Sequence, residues 1–335
     1  MRSVDAIVVG GGPAGSAAAE RLKSAGVDVA VLDKEQFPRQ KLCAGWITPE
    51  VLRDLQVAPA DYPHGFLSFR LLHWHLRAVH LPVPCVQHSI RRVEFDAWLL
   101  MRSRAEVIQH TVRRIVRDGA DYVIDDAFRC RYLIGAGGTP CPVRRALFEA
   151  AAPRPRSLQT VTLELEFAFD WRDPDCHLWF FERGLPGYSW YVPKASGWLN
   201  VGIGGMAPRL KQRGETIRHH WQYLAEKMRR EFQVKIPAEP NGYSYYLRGP
   251  LPGRLGNAFL TGDAAGLATR DLCEGIGPAI RSGQRAANAI LHDAPYELQD
   301  VTGGSLGGGL LTRWMDWAFT RGADHSAVVK DPVLG

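Results

Sequence analysis

The sequence predicts an α/β fold in which a parallel-sheet core is interrupted by a second, antiparallel layer, and three observations lead to it. The apolar run Val4 to Val9 ends in Gly10-Gly11-Gly12-Pro13-Ala14-Gly15, a second apolar run from Val27 to Leu32 closes on Asp33, and residues 157–206 alternate strand-like segments with turns. At 335 residues with 46% hydrophobic side chains, the chain exceeds a typical single domain and can build a large core.

After the glycines, Ala17, Ala18, Ala19 and Leu22 recur at helical spacing. The N-terminus therefore reads as strand, tight turn, helix, strand, a βαβ unit of conventional length. In that context Gly10-x-Gly12-x-x-Gly15 is a dinucleotide-binding signature. The first glycine permits the turn, the second lets backbone approach a pyrophosphate, and the third allows the helix to pack closely. The helix opening at Pro13 and Ala14 directs amides and a positive dipole at phosphate. Asp33, with Lys34 beside it, stands where an acid accepts hydrogen bonds from an adenosine ribose. This Rossmann-like signature alone does not separate NAD from FAD.

Further along, residues 34–49 read as a loop, Leu67 to Pro84 as extended and turn-rich, and Val93 to Arg104 as an amphipathic helix carrying Phe95, Leu99 and Leu100. Short strands are expected around 107–116, 121–125 and 128–134, the last running into Gly135-Ala136-Gly137-Gly138. Residues 211–232 read as one long helix, Ala258 to Gly262 as a buried strand, and Glu274 to Leu291 as a helix entered through a glycine turn. A glycine-rich run, Gly303 to Gly309, precedes an aromatic helix near Leu310 to Phe319, whose Trp314, Trp317 and Phe319 read as core packing in preference to membrane contact. The resulting division is a discontinuous nucleotide-binding domain (1–66, 91–156 and 249–295), a substrate domain (67–90 and 157–248) and a short C-terminal helical segment (296–335).

The net charge of +6 comes from Lys and Arg scattered among 35 acidic residues, so no nucleic-acid partner is expected. A dinucleotide, an anionic substrate or a peripheral contact with an anionic membrane suits it equally. No run approaches the roughly 18 apolar residues of a spanning helix, and no signal-peptide core precedes the first strand, which predicts a soluble cytoplasmic chain. The six cysteines form no CxxC pair, so neither a metal site nor a disulfide framework is indicated.

Four segments in order extend the reading. They are Phe37-Pro38-Arg39-Gln40-Lys41-Leu42-Cys43-Ala44-Gly45, then Arg92-Val93-Glu94-Phe95-Asp96, then Tyr188-Ser189-Trp190-Tyr191-Val192-Pro193. The fourth is Leu260-Thr261-Gly262-Asp263-Ala264-Ala265-Gly266 followed by Glu274-Gly275-Ile276-Gly277. Together they resemble p-hydroxybenzoate-hydroxylase-like flavoproteins, and within these the geranylgeranyl reductase family, over roughly residues 3–290. The resemblance implies an FAD-binding domain with an interleaved antiparallel-sheet substrate domain. It implies that Arg39 and Arg92 orient the FAD phosphates and nearby loop, that Asp263, after Gly262, accepts hydrogen bonds from the ribityl chain, and that Cys43 and Ala44 lie near the flavin. Surface salt bridges are the other reading of the two arginines, and a helix N-cap that of Asp263.

Gly275, Ile276 and Gly277 open a helix whose first amides are placed to face the flavin and favour its reduced, negative form. Tyr188 and Trp190 share one strand face and are expected to wall an apolar substrate pocket, with Cys273 a further cavity residue. The resemblance implies hydride transfer from reduced FAD to a carbon–carbon double bond of an apolar, isoprenoid-like substrate. Cys43, Tyr188 and water are unranked proton donors. Gly137 stands where hydroxylase members carry an acid tied to flavin and nicotinamide handling, which counts against hydroxylation and direct use of NADPH. The electron donor stays open between NAD(P)H and a redox partner protein. A flavin monooxygenase or halogenase-like enzyme and a non-catalytic flavin electron-transfer protein are the competing classes.

Overall fold

The computed structural model describes residues 1–76, 79–250 and 252–301. In chain order it runs β1 (Arg2–Val9), α1 (Pro13–Ser24), β2 (Val29–Asp33), β3 (Trp46–Ile47), α2 (Pro49–Leu55), β4 (Leu67–Leu76), β5 (Val79–Ser89) and α3 (Arg92–Arg102). It continues with β6 (Glu106–Gln109), β7 (Ile115–Asp118), β8 (Asp121–Ile124), β9 (Phe128–Gly135), β10 (Gln159–Ala168), β11 (Cys176–Phe180), β12 (Gly187–Lys194) and β13 (Trp198–Met206). The remainder is α4 (Ala207–Gln212), α5 (Ile217–Glu231), β14 (Asn241–Tyr246), β15 (Arg254–Leu255), β16 (Ala258–Leu260), α6 (Gly262–Ala265) and α7 (Ile276–His292).

The strands form two sheets. In the first, β16, β9, β1, β2 and β6 lie side by side and parallel, with β15 antiparallel on one edge and the β7–β8 hairpin joined to β9. Both faces of β1 are buried, which is why Val4 to Val9 lacks polar alternation. Ala6 and Val8 pack under α1 and α7, against Ala18, Leu22 and Ala286. Ile7 and Val9 meet Leu133, Phe148 and Leu260 on the other side.

The second sheet has the order β14-β10-β13-β12-β11-β4-β5-β3. Leu163, Tyr191, Leu199, Val201 and Ile203 point outward onto Trp221, Leu224 and Met228 of α5. Period-two alternation then turns Thr162, Glu164, Trp190, Val192, Gly202 and Gly204 inward, toward the first sheet.

Four expectations change. The loop assigned to 34–49 contains β3, which pairs with β5 in the second sheet, and Pro49 begins α2, where its missing N–H matters least. The stretch 107–116 is two strands on different neighbours, β6 on β2 and β7 on β8. The helix expected over 211–232 is broken into α4 and α5 at Gly214, whose φ of 68° is left-handed. Strand β14 had no counterpart in the sequence reading. The Gly303 to Gly309 run and the aromatic helix with Trp314, Trp317 and Phe319 lie outside the described residues. Among the described residues, no helix is long and apolar enough to cross a membrane.

On the outer face of the second sheet four histidines stack. His75 and His80 face each other across β4 and β5 with ring centroids 4.4 Å apart, and His73 and His177 do so across β4 and β11 at 4.3 Å. His73 Nδ1 and His80 Nε2 form a hydrogen-bonded pair at 2.9 Å, His75 Nε2 and His177 Nδ1 another at 3.0 Å, and His177 Nε2 meets Asp173 Oδ2 at 2.9 Å. Burial first, and then the neighbouring His177, His80, Lys227 and His73, press the His75 pKa down to about 3.

Candidate functional site

A cavity of about 520 Å³ lies between the carboxyl ends of the parallel strands and the inner face of the second sheet. Its first wall is made where β1, β2, β9 and β16 end, at Gly10, Asp33, Ala136 and Thr261. That is where open α/β sheets bind ligands. Gly10 has φ 111°, and a Cβ there would lie 2.5 Å from the Ala136 carbonyl oxygen. A Cβ on Gly15 would sit 1.8 Å from the Gly10 carbonyl oxygen, so Gly15 secures helix packing from behind the wall while Gly12, Pro13 and Ala14 line it. The N-cap of α1, Gly12, carries no side chain to cover the helix end. Asp33 lines the cavity beside Lys34 while its Oδ2 accepts from the Gly11 amide at 2.7 Å and its Oδ1 from the Glu35 amide at 2.9 Å. The carboxylate thus holds the glycine turn in shape and faces the cavity at once.

Arg39 and Arg92 meet at one carboxylate. Arg92 Nε and Nη2 donate to Asp96 Oδ1 and Oδ2, both at 2.7 Å, and Arg39 Nη1 stands 3.6 Å from Asp96 Oδ2. Burial works against the Arg92 charge, but Asp96 outweighs it and holds the guanidinium firmly protonated. Arg92 is therefore ion-paired, but in a buried pair and not in a surface salt bridge. Both arginines still line the cavity, Arg92 contributing charge while Asp96 takes its donor fork.

The loop bearing Lys41, Cys43 and Ala44 is pinned to the second sheet. Lys194 Nζ donates to the Ala44 and Ile90 carbonyls at 2.6 Å each, and Asn200 Nδ2 donates to the Cys43 carbonyl at 3.3 Å. At the far end, Thr261 is the N-cap of α6, so Asp263 is not. Asp263 Oδ2 instead accepts from Tyr243 Oη at 3.3 Å, and the Thr139 hydroxyl lies within hydrogen-bond distance of the same oxygen at 3.2 Å, free to donate to it. Arg154 ties the same places together, with Nη1 donating to Thr139 O and Nη2 to the carbonyls of Asp263 and Ala264. The turn at Gly137, which lacks an acid, is thus fastened to α6 by Arg154 and Tyr243.

At the start of α7, Gly275 and Ile276 reach the cavity, whereas the Gly277 amide donates to Glu274 Oε1 at 3.1 Å and does not face it. Of the expected helix start, Gly275 and Ile276 therefore border the cavity and Gly277 does not. Facing them, the second sheet presents two cross-strand rows, Tyr243–Thr162–Gly204–Tyr188 and Glu164–Gly202–Trp190–Leu178. Trp190 Nε1 donates to Asn200 Oδ1 at 2.7 Å, and the indole lies over Gly202. Tyr188 Oη donates to the Leu272 carbonyl, and burial raises both its phenol and the Cys273 thiol, the latter to about 12. Both groups stay neutral. The structure therefore gathers all the candidates except Gly15 and Gly277 on one cavity, and adds Lys41, from the 37–45 segment, and Thr162, Glu164, Tyr243 and Tyr245, which carry no motif.

The Rossmann core, the interleaved antiparallel sheet and the cavity between them make up a p-hydroxybenzoate-hydroxylase-like fold. Residues 8–65 match the NAD(P)-binding Rossmann-like domain family. The menaquinone reductase of Mycolicibacterium smegmatis is 30% identical, covering 85% of this chain and 76% of that protein. The geranylgeranyl diphosphate reductase of Rhodobacter capsulatus is 28% identical over 86% of this chain and 75% of its own. The geranylgeranyl bacteriochlorophyll reductase-like structure from Thermoplasma acidophilum superposes with a TM-score of 0.76 at 19% identity, covering 98% and 89% of the two chains. This chain belongs to the geranylgeranyl reductase family of FAD-dependent oxidoreductases.

Proposed function

We propose that the chain reduces a carbon–carbon double bond of an apolar, isoprenoid-like substrate held between FAD and the inner face of the second sheet. The observation that carries this reading is the wall of Leu178, Trp190, Val192 and Leu272 facing the glycine-rich strand ends across the cavity. The donor set fits FAD. Gly10, Gly12, Pro13 and Ala14, with Gly15 behind them, cradle the pyrophosphate. Asp33 and Lys34 meet the adenosine, Arg39 and Arg92 balance its negative charge, and Gly262 and Asp263 meet the ribityl chain. When bound, reduced FAD supplies a hydride to the substrate.

The chain's own residues do the rest. Gly275 and Ile276, at the positive end of α7, stabilise negative charge on the reduced ring. Trp190, Leu178 and Val192 exclude water and seat the apolar chain. Tyr188, committed to the Leu272 carbonyl, serves as a fixed wall, and Cys43, Ala44 and Cys273 border the same space. The electron donor is NAD(P)H in transit or a protein carrier, and substrate delivery involves peripheral contact with a membrane. The names of the two relatives support a reductase over a monooxygenase or halogenase.

The test is anaerobic reduction of the FAD-loaded protein, then mixing with an unsaturated prenyl alcohol, a prenylated naphthoquinone or oxygenated buffer while the flavin spectrum is followed. Reoxidation by a prenyl compound without oxygen, giving a product two hydrogens heavier, is expected. Reoxidation by oxygen alone through a transient adduct would make it a monooxygenase. Electrons passed only to a carrier protein would make it an electron-transfer protein.

A further inference from the structure

Two carboxyl groups on the cavity wall are shifted by burial so that they protonate near neutrality. Glu274 is pushed up to about 7 by burial, with Arg281 pulling the other way, and its Oε1 accepts the Gly277 amide. It has a structural partner in the first turn of α7. Glu164 is likewise pushed up to about 7 by burial, against the pull of Lys41, Lys194 and Arg92 and with Glu166 adding to the rise. It is only 2% exposed, and its Oε1 has no hydrogen-bond partner. A buried carboxyl oxygen without a partner is unfavourable for folding, so its retention on a cavity wall points to a ligand.

The register of the sheet fixes where Glu164 faces. Its neighbours Leu163 and Leu165 pack toward α5, so Glu164 is on the inner side. Directly across the strands stand Gly202 and then Trp190, and Gly202 places no side chain between the carboxyl and the indole. Lys41 lines the same cavity, its ammonium 3.2 Å from the centre of the Tyr243 ring. Tyr188 and Cys273, on the same wall, are poor acids at neutral pH, since burial lifts Tyr188 far above its ordinary value and Cys273 to about 12.

Saturating a double bond needs a hydride on one carbon and a proton on its neighbour. We propose that Glu164 is the catalytic acid that supplies this proton, a role that rests on the reductase reading above. One C–H bond forms with the hydride and its two electrons from reduced FAD, which is thereby oxidised. The second forms as the Glu164 O–H bond breaks. Glu164 is left as a carboxylate near Lys41 and regains its proton from solvent.

The test compares wild type with Glu164→Gln and Glu164→Asp, all as FAD-loaded full chains. In substrate-free protein, infrared difference titration should show two protonated carboxyl bands that disappear near pH 7 in wild type, of which Glu164→Gln lacks one and keeps the band of Glu274. In anaerobic single turnovers with the prenyl compound that wild type reduces, Glu164→Gln should lose about 10²-fold or more in flavin reoxidation rate. Dithionite reduction and FAD affinity should stay unchanged. The wild-type rate should fall as pH rises through about 7, a limb that Glu164→Gln lacks and Glu164→Asp restores in part. A Glu164→Gln protein with the wild-type rate and pH limb overturns the proposal while leaving the reductase reading intact. Failure of wild type to reduce any prenyl compound overturns both.

Discussion

The indole of Trp190 rests on the bare backbone of Gly202, where a Cβ would come within 2.1 Å of a ring carbon. The contact joins β12 to β13 on the inner face, within the cross-strand row that carries Glu164. Gly202→Ala must displace the indole or bend the strand, and overpacking of this kind costs about 1–3 kcal/mol. Urea unfolding should register that loss, with FAD affinity within about twofold of wild type because the clash is remote from the glycine turn. A variant that unfolds like wild type would show that the indole is seated elsewhere.

The histidine stack predicts acid sensitivity at a mild pH. The His75 pKa is lowered from 6.5 to about 3 in the folded chain, so the unfolded chain binds the proton more tightly. Stability is therefore full above about 6.5 and is lost progressively as pH falls toward 3. His177 is shifted the same way, by burial first and against the pull of Asp173. Thermal melts between pH 7 and 4.5 should show a falling midpoint, and His75→Phe should flatten that slope. An unchanged slope in the variant would assign the acid loss to other groups.

Asp96 is completely buried and serves two arginines. Asp96→Asn keeps the shape but removes the charge, leaving the Arg92 guanidinium without its counter-ion. Breaking a buried pair in this way costs about 3–5 kcal/mol. Chemical denaturation should show a loss of that size, and equilibrium dialysis should show weaker FAD retention as Arg39 and Arg92 shift. Wild-type stability in Asp96→Asn would mean that the pair is solvated.

Arg154 donates to three carbonyls that hold the Gly137 turn against α6. Arg154→Met should cost roughly 1.5–3 kcal/mol, the range for hydrogen bonds from a charged group. It should also raise hydrogen exchange at the Thr139 and Ala264 amides more than at Leu32. Uniform exchange across these sites would argue against a local tie.

The first wall of the cavity was legible because its residues obey local rules. Gly10, Gly12 and Gly15 have backbone requirements that only glycine meets, and the strand before them is buried on both faces. The second wall was legible at Tyr188 and Trp190, where a motif marks it, and illegible at Glu164. The alternation Thr160-Val161-Thr162-Leu163-Glu164-Leu165-Glu166 reads as a strand with one polar, solvent-facing side. Here that side is turned inward over a cavity, and only the pairing of β10 with β13 and β14 reveals it. Lys194 was missed for a related reason. It is fully buried, and a lysine in a sequence carries no sign that two carbonyls from distant loops will enclose its ammonium.

The chain passes from the first sheet to the second after β2, returns for β6 to β9, leaves again for β10 to β14, and returns to complete the first with β15 and β16. Residues 133 and 258, far apart in sequence, are partners in adjacent parallel strands. Neither sheet can therefore be finished by a ribosome before the other has begun, and a nascent chain holds its glycine turn ready well before β16 and α7 emerge to close the cavity. The cavity is therefore closed only by the last strand and helix of the first sheet. No cut between the two sheets yields an excisable module that could be exchanged with another flavoprotein.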